Sequence, residues 1–391
     1  MDVARSVPLG HVADLNPRLL RKLSDSTAIS FVPMAAMSAE EAKVTLATDR
    51  PYADVRKGYT YFENGDVLVA KITPCFENGK IAQAVLPRQY GFGSTEFHVV
   101  RPILGTLDGR YLHQFLRQAR IRFEGERRMT GSGGQRRVPE DFLAQLAIPL
   151  PPLLEQRRIA AILDRADAIR AMRREALAQL DSLTQSIFIE MFGDPVVNPK
   201  DWELMSFGSV GKLDRGVSKA RPRNTPELLG GPYPLIQTGD VANCDGYVRT
   251  HTATYSEAGL RQSKLWPAGT LCITIAANIA KTGVLMFDAC FPDSVVGFRA
   301  AQVATVEYAR VWLSFLQKAL EDAAPESAQK NINLAILRDL KMPVPPLALQ
   351  QTFATRIQSI ESLKATHRAA LAESDALFAS LQHRAFAGQL S

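Results

Sequence analysis

Apolar positions follow two different rhythms along the chain. In AISFVPM, DVLVAKI, AQAVLP and EFHVVRP of the first half, and in YPLIQT, GTLCITIA, GVLMFDA and VVGFRAA of the second, short apolar or alternating runs sit between Gly, Pro and Asn breakers. Runs of this length predict β-strands. RYLHQFLRQAR and EYARVWLSFLQKAL instead space their apolar residues by three and four, which predicts helices. Two longer stretches begin just after PLPP and PVPP and continue without Pro or Gly to Phe192 and Ala387. They predict helices of about 35 residues, each about 50 Å long. An a/d track runs through Ile159, Leu163, Ala166, Arg170, Arg173, Leu177, Leu180, Thr184, Ile187 and Met191. Its counterpart is Phe353, Ile357, Ile360, Lys364, His367, Leu371, Ser374, Phe378, Leu381 and Ala385. Both tracks turn polar in the middle, where Ile169 and Leu363 are expected to take the apolar role. The simplest reading is that the two helices pack on each other. Solitary amphipathic helices docking on other proteins are the alternative.

The two long stretches are copies. A shift of 194 residues lays AIPLPPLLEQRRIAAIL on KMPVPPLALQQTFATRI, so Pro149, Pro151, Pro152, Leu153 and Gln156 meet Pro343, Pro345, Pro346, Leu347 and Gln350. The match continues without a gap through Asp181, Leu183, Ser186 and Phe192, which meet Asp375, Leu377, Ser380 and Phe386. Upstream the offset drifts, as diverged loops require. VPLGHV from Val7 still resembles MSFGSV from Met205, and GGQRRV ending at Val138 resembles SAQKNI ending at Ile332. The expected organisation is a first globular part over 1–148, a Pro-led helix over 149–193, a joint and second globular part over 194–342, and a second helix over 343–391. Gly193-Asp-Pro-Val-Val-Asn-Pro-Lys forms the joint, since Gly and two prolines stop a helix. The fold class is α+β. Each globular part is a mixed, mostly antiparallel sheet with helices, on an internal pseudo-twofold repeat.

Composition narrows the class. With 391 residues, 46% hydrophobic and 22% charged, the chain is globular and large enough for two to four folding units of roughly 100 to 200 residues. No apolar run reaches the roughly 18 to 20 residues of a membrane span, and MDVARSVPLG lacks the apolar core of a signal peptide, so a cytoplasmic protein with no membrane attachment is expected. Cys75, Cys244, Cys272 and Cys290 never approach CxxC spacing and are expected to be buried free thiols. A net charge of +6 permits a polyanionic partner. Seven arginines between Arg117 and Arg137 face only Glu124 and Glu126, and Lys212, Arg215, Lys219, Arg221 and Arg223 face only Asp214. Such densities suit phosphate contacts, or else a solvated helix face and a loop.

No catalytic constellation is present. FENGK around Lys80 lacks the first glycine and the Ser/Thr of a phosphate-binding loop, and Gly131, Gly133 and Gly134 do not make GxGxxG. His11, His98, His113, His251, His367 and His383 show no metal spacing. GxSxG is absent, and so is the Asn-Pro-Pro-aromatic tetrapeptide with which amino-methyltransferases hold a flipped base. Neither a metal nor a cofactor is expected. A nuclease with dispersed carboxylates stays formally open.

PLPPLLEQ, MFGDPVVNPKDW and PVPPLALQ, framing two variable parts, resemble together the specificity subunit of a type I restriction-modification system, over the whole chain. The resemblance implies two homologous target recognition domains, each reading one half of a split site in double-stranded DNA. They are separated by two long antiparallel coiled-coil helices that dock methyltransferase subunits, two of them expected, with restriction/translocase subunits joining through the complex. It implies a non-catalytic chain, which agrees with the empty chemistry survey. A free-standing nucleic-acid-binding or scaffold protein with the same duplicated architecture is the alternative. The second copy departs from the first at Leu349, where the first has Glu155, and at AQKNI, where the first has GQRRV.

Candidate DNA contacts are Gln135, Arg136 and Arg137 after GSGG, and their counterparts Gln329, Lys330 and Asn331. Gln and Asn can read adenine, and Arg guanine, in the major groove. Base reading, phosphate contact and a purely structural loop leading back to the helix all stay open. Lys71 and Lys281, at or after the matched strands, are phosphate candidates. Ser94-Thr95-Glu96 and Asp293-Ser294 are polar turns before a strand.

Overall fold

The computed structural model describes residues 5–132, 134–223, 225–276, 279–322 and 332–390, with side chains omitted at 321–322. By its internal contacts the chain forms two units, Met1–Glu175 with Arg368–Ser391, and Ala176–His367. Each unit therefore holds the first half of one long helix and the second half of the other.

In the first unit, a sheet of described strands runs in the order Ala13–Leu15, Phe97–Pro102, Val67–Ala70, Ile81–Gln83, Lys43–Val44, Met37–Ser38. A second runs Thr48–Pro51, Ala28–Val32, Tyr90–Gly93, Thr60–Glu63. Most pairings are antiparallel, but Ala28–Val32 runs parallel to Tyr90–Gly93, and Lys43 pairs parallel with Gln83. Val67–Ala70 is buried at every position, as a strand covered on both faces must be. The ribbon Ser6–Pro8 with Ala147–Pro149 then delivers the chain to the first long helix. Pro149, expected at the helix lead-in, thus ends a strand.

The second unit repeats this topology. Gly211–Arg215, Val295–Ala300, Leu271–Thr274, Thr282–Leu285 and Gly246–Val248 form one sheet, its last pair parallel. Ala253–Tyr255, Leu229–Leu235, Ala289–Cys290 and Leu265–Trp266 form the other, with a parallel central pair. Leu204–Ser206 with Lys341–Pro343 is the ribbon. Cys272 and Cys290 are buried, whereas Cys75 and Cys244 are only half-buried; all four are free.

The long helices are Leu153–Phe192 and Leu347–Phe386. Within each unit their halves pack antiparallel. Rings close the first core, with Tyr111 5.2 Å and Phe115 5.4 Å from Phe386. In the second, Phe192 lies 4.8 Å from Tyr308 and 5.3 Å from Phe353. Matching glutamines lock the lead-ins. Gln156 accepts from Asp108 N at 2.8 Å and donates to Thr106 O and Pro151 O; Gln350 accepts from Thr305 N at 3.0 Å and donates to Val303 O and Pro345 O. The first helix stops at Gly193, φ +81°. Lys200 Nζ and Trp202 Nε1 donate to the carbonyls of Glu190, Met191 and Phe192, which the helix end leaves without partners.

The middle of the helix pair departs from expectation. Ile169 and Leu363 do not take over the seam; both are exposed, at 45% and 46%. Arg170 and Lys364 turn inward instead, because each finds carboxylates there. Arg117 pairs with Asp167, Asp167 with Arg170 at 2.6 Å, and Arg170 with Asp375 at 2.5 Å. In the second unit Arg249 pairs with Glu361 at 3.0 Å, Glu361 with Lys364 at 3.2 Å, and Lys364 with Asp181. The helix members of the two chains of charge are related by the same 194-residue shift. Burial pushes the Asp167 carboxyl up, but the Arg117 hydrogen bond and charge outweigh it and hold the group below its usual range.

Candidate nucleic-acid interface

Gln135, Arg136 and Arg137 sit on a return segment clamped by backbone bonds. Arg137 exchanges both hydrogen bonds with Thr130, at 2.8 and 3.0 Å, and Val138 N donates to Lys71 O at 2.9 Å. Thr73 N donates to Arg136 O at 3.0 Å, and Lys71 N to Glu96 O at 2.9 Å. One edge of the first unit therefore gathers Lys71, Glu96, Arg136 and Arg137. GSGG fits this geometry because Gly131 has φ +131° and a Cβ there would fall 2.5 Å from Gln135 O.

The charges on this edge are unequally committed. Arg137 grips Glu96 with Nε at 2.8 Å and a terminal nitrogen at 2.7 Å, and this hydrogen bond holds the Glu96 carboxyl below its usual range. Arg136 is exposed and comes no nearer than 3.9 Å to Glu77. Gln135 is exposed and Lys71 half-buried, and neither side chain forms an ion pair or hydrogen bond among the described residues. His98 supports the segment from below. Asn16 Nδ2 donates to its Nδ1 at 3.3 Å, which leaves Nε2 to donate to Val138 O at 2.8 Å. Burial keeps His98 below the usual histidine range and so neutral.

The repeat places its lysines differently. Val138 N meets Lys71 O, whereas Ile332 N meets Ile275 O at 3.0 Å, so Ile275 occupies the place of Lys71. Lys281 immediately precedes the return strand Thr282–Leu285, and its carbonyl accepts from Thr274 N as the Lys80 carbonyl accepts from Ala70 N. Lys71 and Lys281 are not equivalent positions. Gln329, Lys330 and Asn331 lie outside the described residues. Asp293 mirrors Glu96 as an arginine acceptor, taking Arg223 at 2.6 Å and Arg221 at 3.5 Å. Two members of the second basic cluster thereby share one carboxylate. Arg117, in the first cluster, is likewise turned onto Asp167. Among the described residues no His/Cys/Asp/Glu group has the arrangement of a metal site, and no helix is long and apolar enough to cross a membrane.

Known proteins share this arrangement. A family model described as the type I restriction modification DNA specificity domain matches residues 8–181 and again 199–373. The type I restriction enzyme EcoAI specificity subunit of Escherichia coli is 42% identical over 152 residues, 39% of this chain and 26% of that protein. The EcoEI specificity subunit of the same organism is 36% identical over 183 residues, 46% and 31% of the two chains. The match thus spans less than a third of the length of either relative. A putative MjaX specificity subunit of Methanocaldococcus jannaschii is 22% identical over 312 residues, 76% and 72% of the two chains. The S subunit of a type I restriction-modification system from M. genitalium shares the fold, with a TM-score of 0.59 at 13% identity over 99% of this chain and 97% of that one. A chain solved in work on assembly and conformational transition of the type I R-M system gives 0.58 at 21% identity, over 100% and 99%.

Proposed function

This chain belongs to the type I restriction modification DNA specificity family, and from that membership we propose that it is the DNA-recognition subunit of such a system, each unit reading one half of an interrupted, bipartite site. The observation that carries this reading is the duplication itself. Two units share one topology and the same glutamine locks and charge chains, while the loops that follow their sheets diverge. A frame held constant with edges free to vary is what two different half-sites require. One domain contacting a few base pairs supplies only part of the roughly 10³ to 10⁷ preference over non-specific DNA that such proteins reach, and two tethered readouts combine.

Lys71, Gln135 and Arg136 are the contacts assigned to the first unit, as side chains on one edge with no carboxylate closer than 3.9 Å. Arg137 is assigned a positioning role, since Glu96 already occupies its fork. Residues 329–331 are assigned to the second unit's contacts by the repeat, and Lys281 only as a half-buried lysine just ahead of the strand Thr282–Leu285. The subunit itself performs no chemical step. Methyltransferase subunits, docked on the long helices, supply methyl transfer, and restriction/translocase subunits join through them. Exposed apolar positions on the first helix, Ile169, Met172 and Leu183, support the docking reading. The test is methylation mapping in cells carrying the assembled system, with residues 200–330 replaced by the corresponding region of another such subunit. One half of the modified site should change and the other stay; a change in both halves overturns the reading.

A further inference from the structure

A cleft of about 280 Å³ opens in the first unit between the helix Ala119–Arg128 and halves of both long helices. Arg117, Arg122, Arg170 and Arg174 line it, with Asp375 and Glu40 opposite. Three carboxylates serve three of these arginines. Asp167 takes Arg117 and Arg170, Asp375 takes Arg170 and Arg174, and Glu40, 69% exposed, reaches Arg174 at 3.6 Å. Arg122 has no ion pair among the described residues, and its Nε is buried without a hydrogen-bond partner.

Local backbone holds Arg122 in this position. Gly79 has φ +76°, and a Cβ there would stand 2.7 Å from the Arg122 guanidinium. The glycine of FENGK, which does not make a phosphate-binding loop, thus gives Arg122 room to lie against the backbone. A buried guanidinium nitrogen needs an acceptor, and a surplus positive charge selects an anionic one. The volume lies at the small end of ligand sites. Forked N–H donors on several arginines match the tetrahedral oxygens of a phosphoryl group.

We propose that this cleft binds a phosphoryl oxyanion, held by Arg122 with Arg174 at the rim. Such an anion ties the helix Ala119–Arg128 to the long helices at the point where the buried charges meet. The same chemistry has two sources, a free phosphate or pyrophosphate and a phosphate of the DNA backbone, and the experiment separates them. The full chain is titrated calorimetrically with inorganic phosphate and pyrophosphate in chloride buffer, and separately with duplex DNA over a salt series. If free anions are the source, they bind the native chain, Arg122→Gln weakens them by about tenfold or more, and Glu40→Gln, which removes an exposed negative charge, tightens them. If DNA is the source, free anions give no heat and Arg122→Gln lowers the log–log salt slope for duplex binding by about 0.9. Arg122→Gln removes a half-buried charge that has no ion pair among the described residues, so folding is expected to tolerate it, and Glu40→Gln gives an independent handle. No response to free anions together with an unchanged salt slope overturns the proposal. Duplex binding that persists in that case leaves the recognition function standing.

Discussion

Arg249 and Glu361 meet at 3.0 Å, and in doing so they repeat in the second unit what Arg117 and Asp167 do in the first. In each case a cation from the globular part reaches a carboxylate on a long helix, which also holds the cation one turn later, Lys364 or Arg170. Charges placed where a seam residue would otherwise be apolar contribute little net stability when complete, but they are costly to leave half-made.

Glu361→Ala should therefore destabilise the second unit by up to about 3 kcal/mol, because it takes the carboxylate from Arg249 and leaves Lys364 with Asp181 alone. Lys364→Met should cost much less, since Glu361 keeps Arg249. Urea unfolding of both variants checks the order; equal losses would mean that the charges are not coupled.

Gln350 is fully buried and serves three backbone groups, one N–H and two carbonyls. Gln350→Ala should lower stability by about 3 kcal/mol, and Gln156→Ala by a similar amount in the other unit. Hydrogen exchange should show the loss concentrated around Val303–Thr305 and Thr106–Asp108 respectively. A uniform increase across the chain would argue against a local lock.

His113 is held down to about 4, first by burial and then by the Arg117 charge. The unfolded chain takes up a proton near pH 6.5 that the folded chain refuses until about 4, so stability is complete above 6.5 and falls as pH drops through this window, by up to about 3 kcal/mol. His113→Asn should flatten that slope in thermal melts between pH 6.5 and 4. A wild-type melting temperature that stays level over the same range would count against the depressed value.

On the proposed DNA edge, Arg136→Ala should reduce the log–log salt slope by about 0.9 while leaving the melting temperature unchanged. Arg137→Ala should do the reverse, lowering the melting temperature with the salt slope unchanged, because Glu96 loses its bidentate partner. Anisotropy titrations and melts on the same two proteins decide the assignment, and swapped outcomes would exchange the two roles.

The long helices were legible because nothing within them breaks a helix and because the second is a recognisable copy of the first. Their seam was not. Hydropathy favoured Ile169 and Leu363 at the centre, whereas the partners that draw Arg170 and Lys364 inward, Asp375 and Asp181, sit about 200 residues away in sequence, beyond the reach of any local periodicity. Strand segments such as Val67–Ala70 and Leu271–Thr274 could be read from their apolar runs. The different places of Lys71 and Lys281 could not, because they depend on two hairpins of unequal length: Ala70 pairs across to Lys80, but Thr274 to Lys281. The arginine density over 117–137 was visible, yet its division between outward Arg136, clamped Arg137 and inward Arg117 depends on carboxylates from three separate segments.

The division of the chain also sets an order of assembly during synthesis. Residues 176–367 form a continuous stretch and contain everything their unit needs, whereas the first unit also requires 368–391. At about 5 to 20 residues per second, the nascent first unit waits roughly 10 to 40 seconds for that last segment to emerge. During that interval Tyr111, Phe115 and Ile159 lack the cover that Phe386 and its neighbours later provide. The portion made first is thus the last to close, and its core stays uncovered until residues 368–391 have been made.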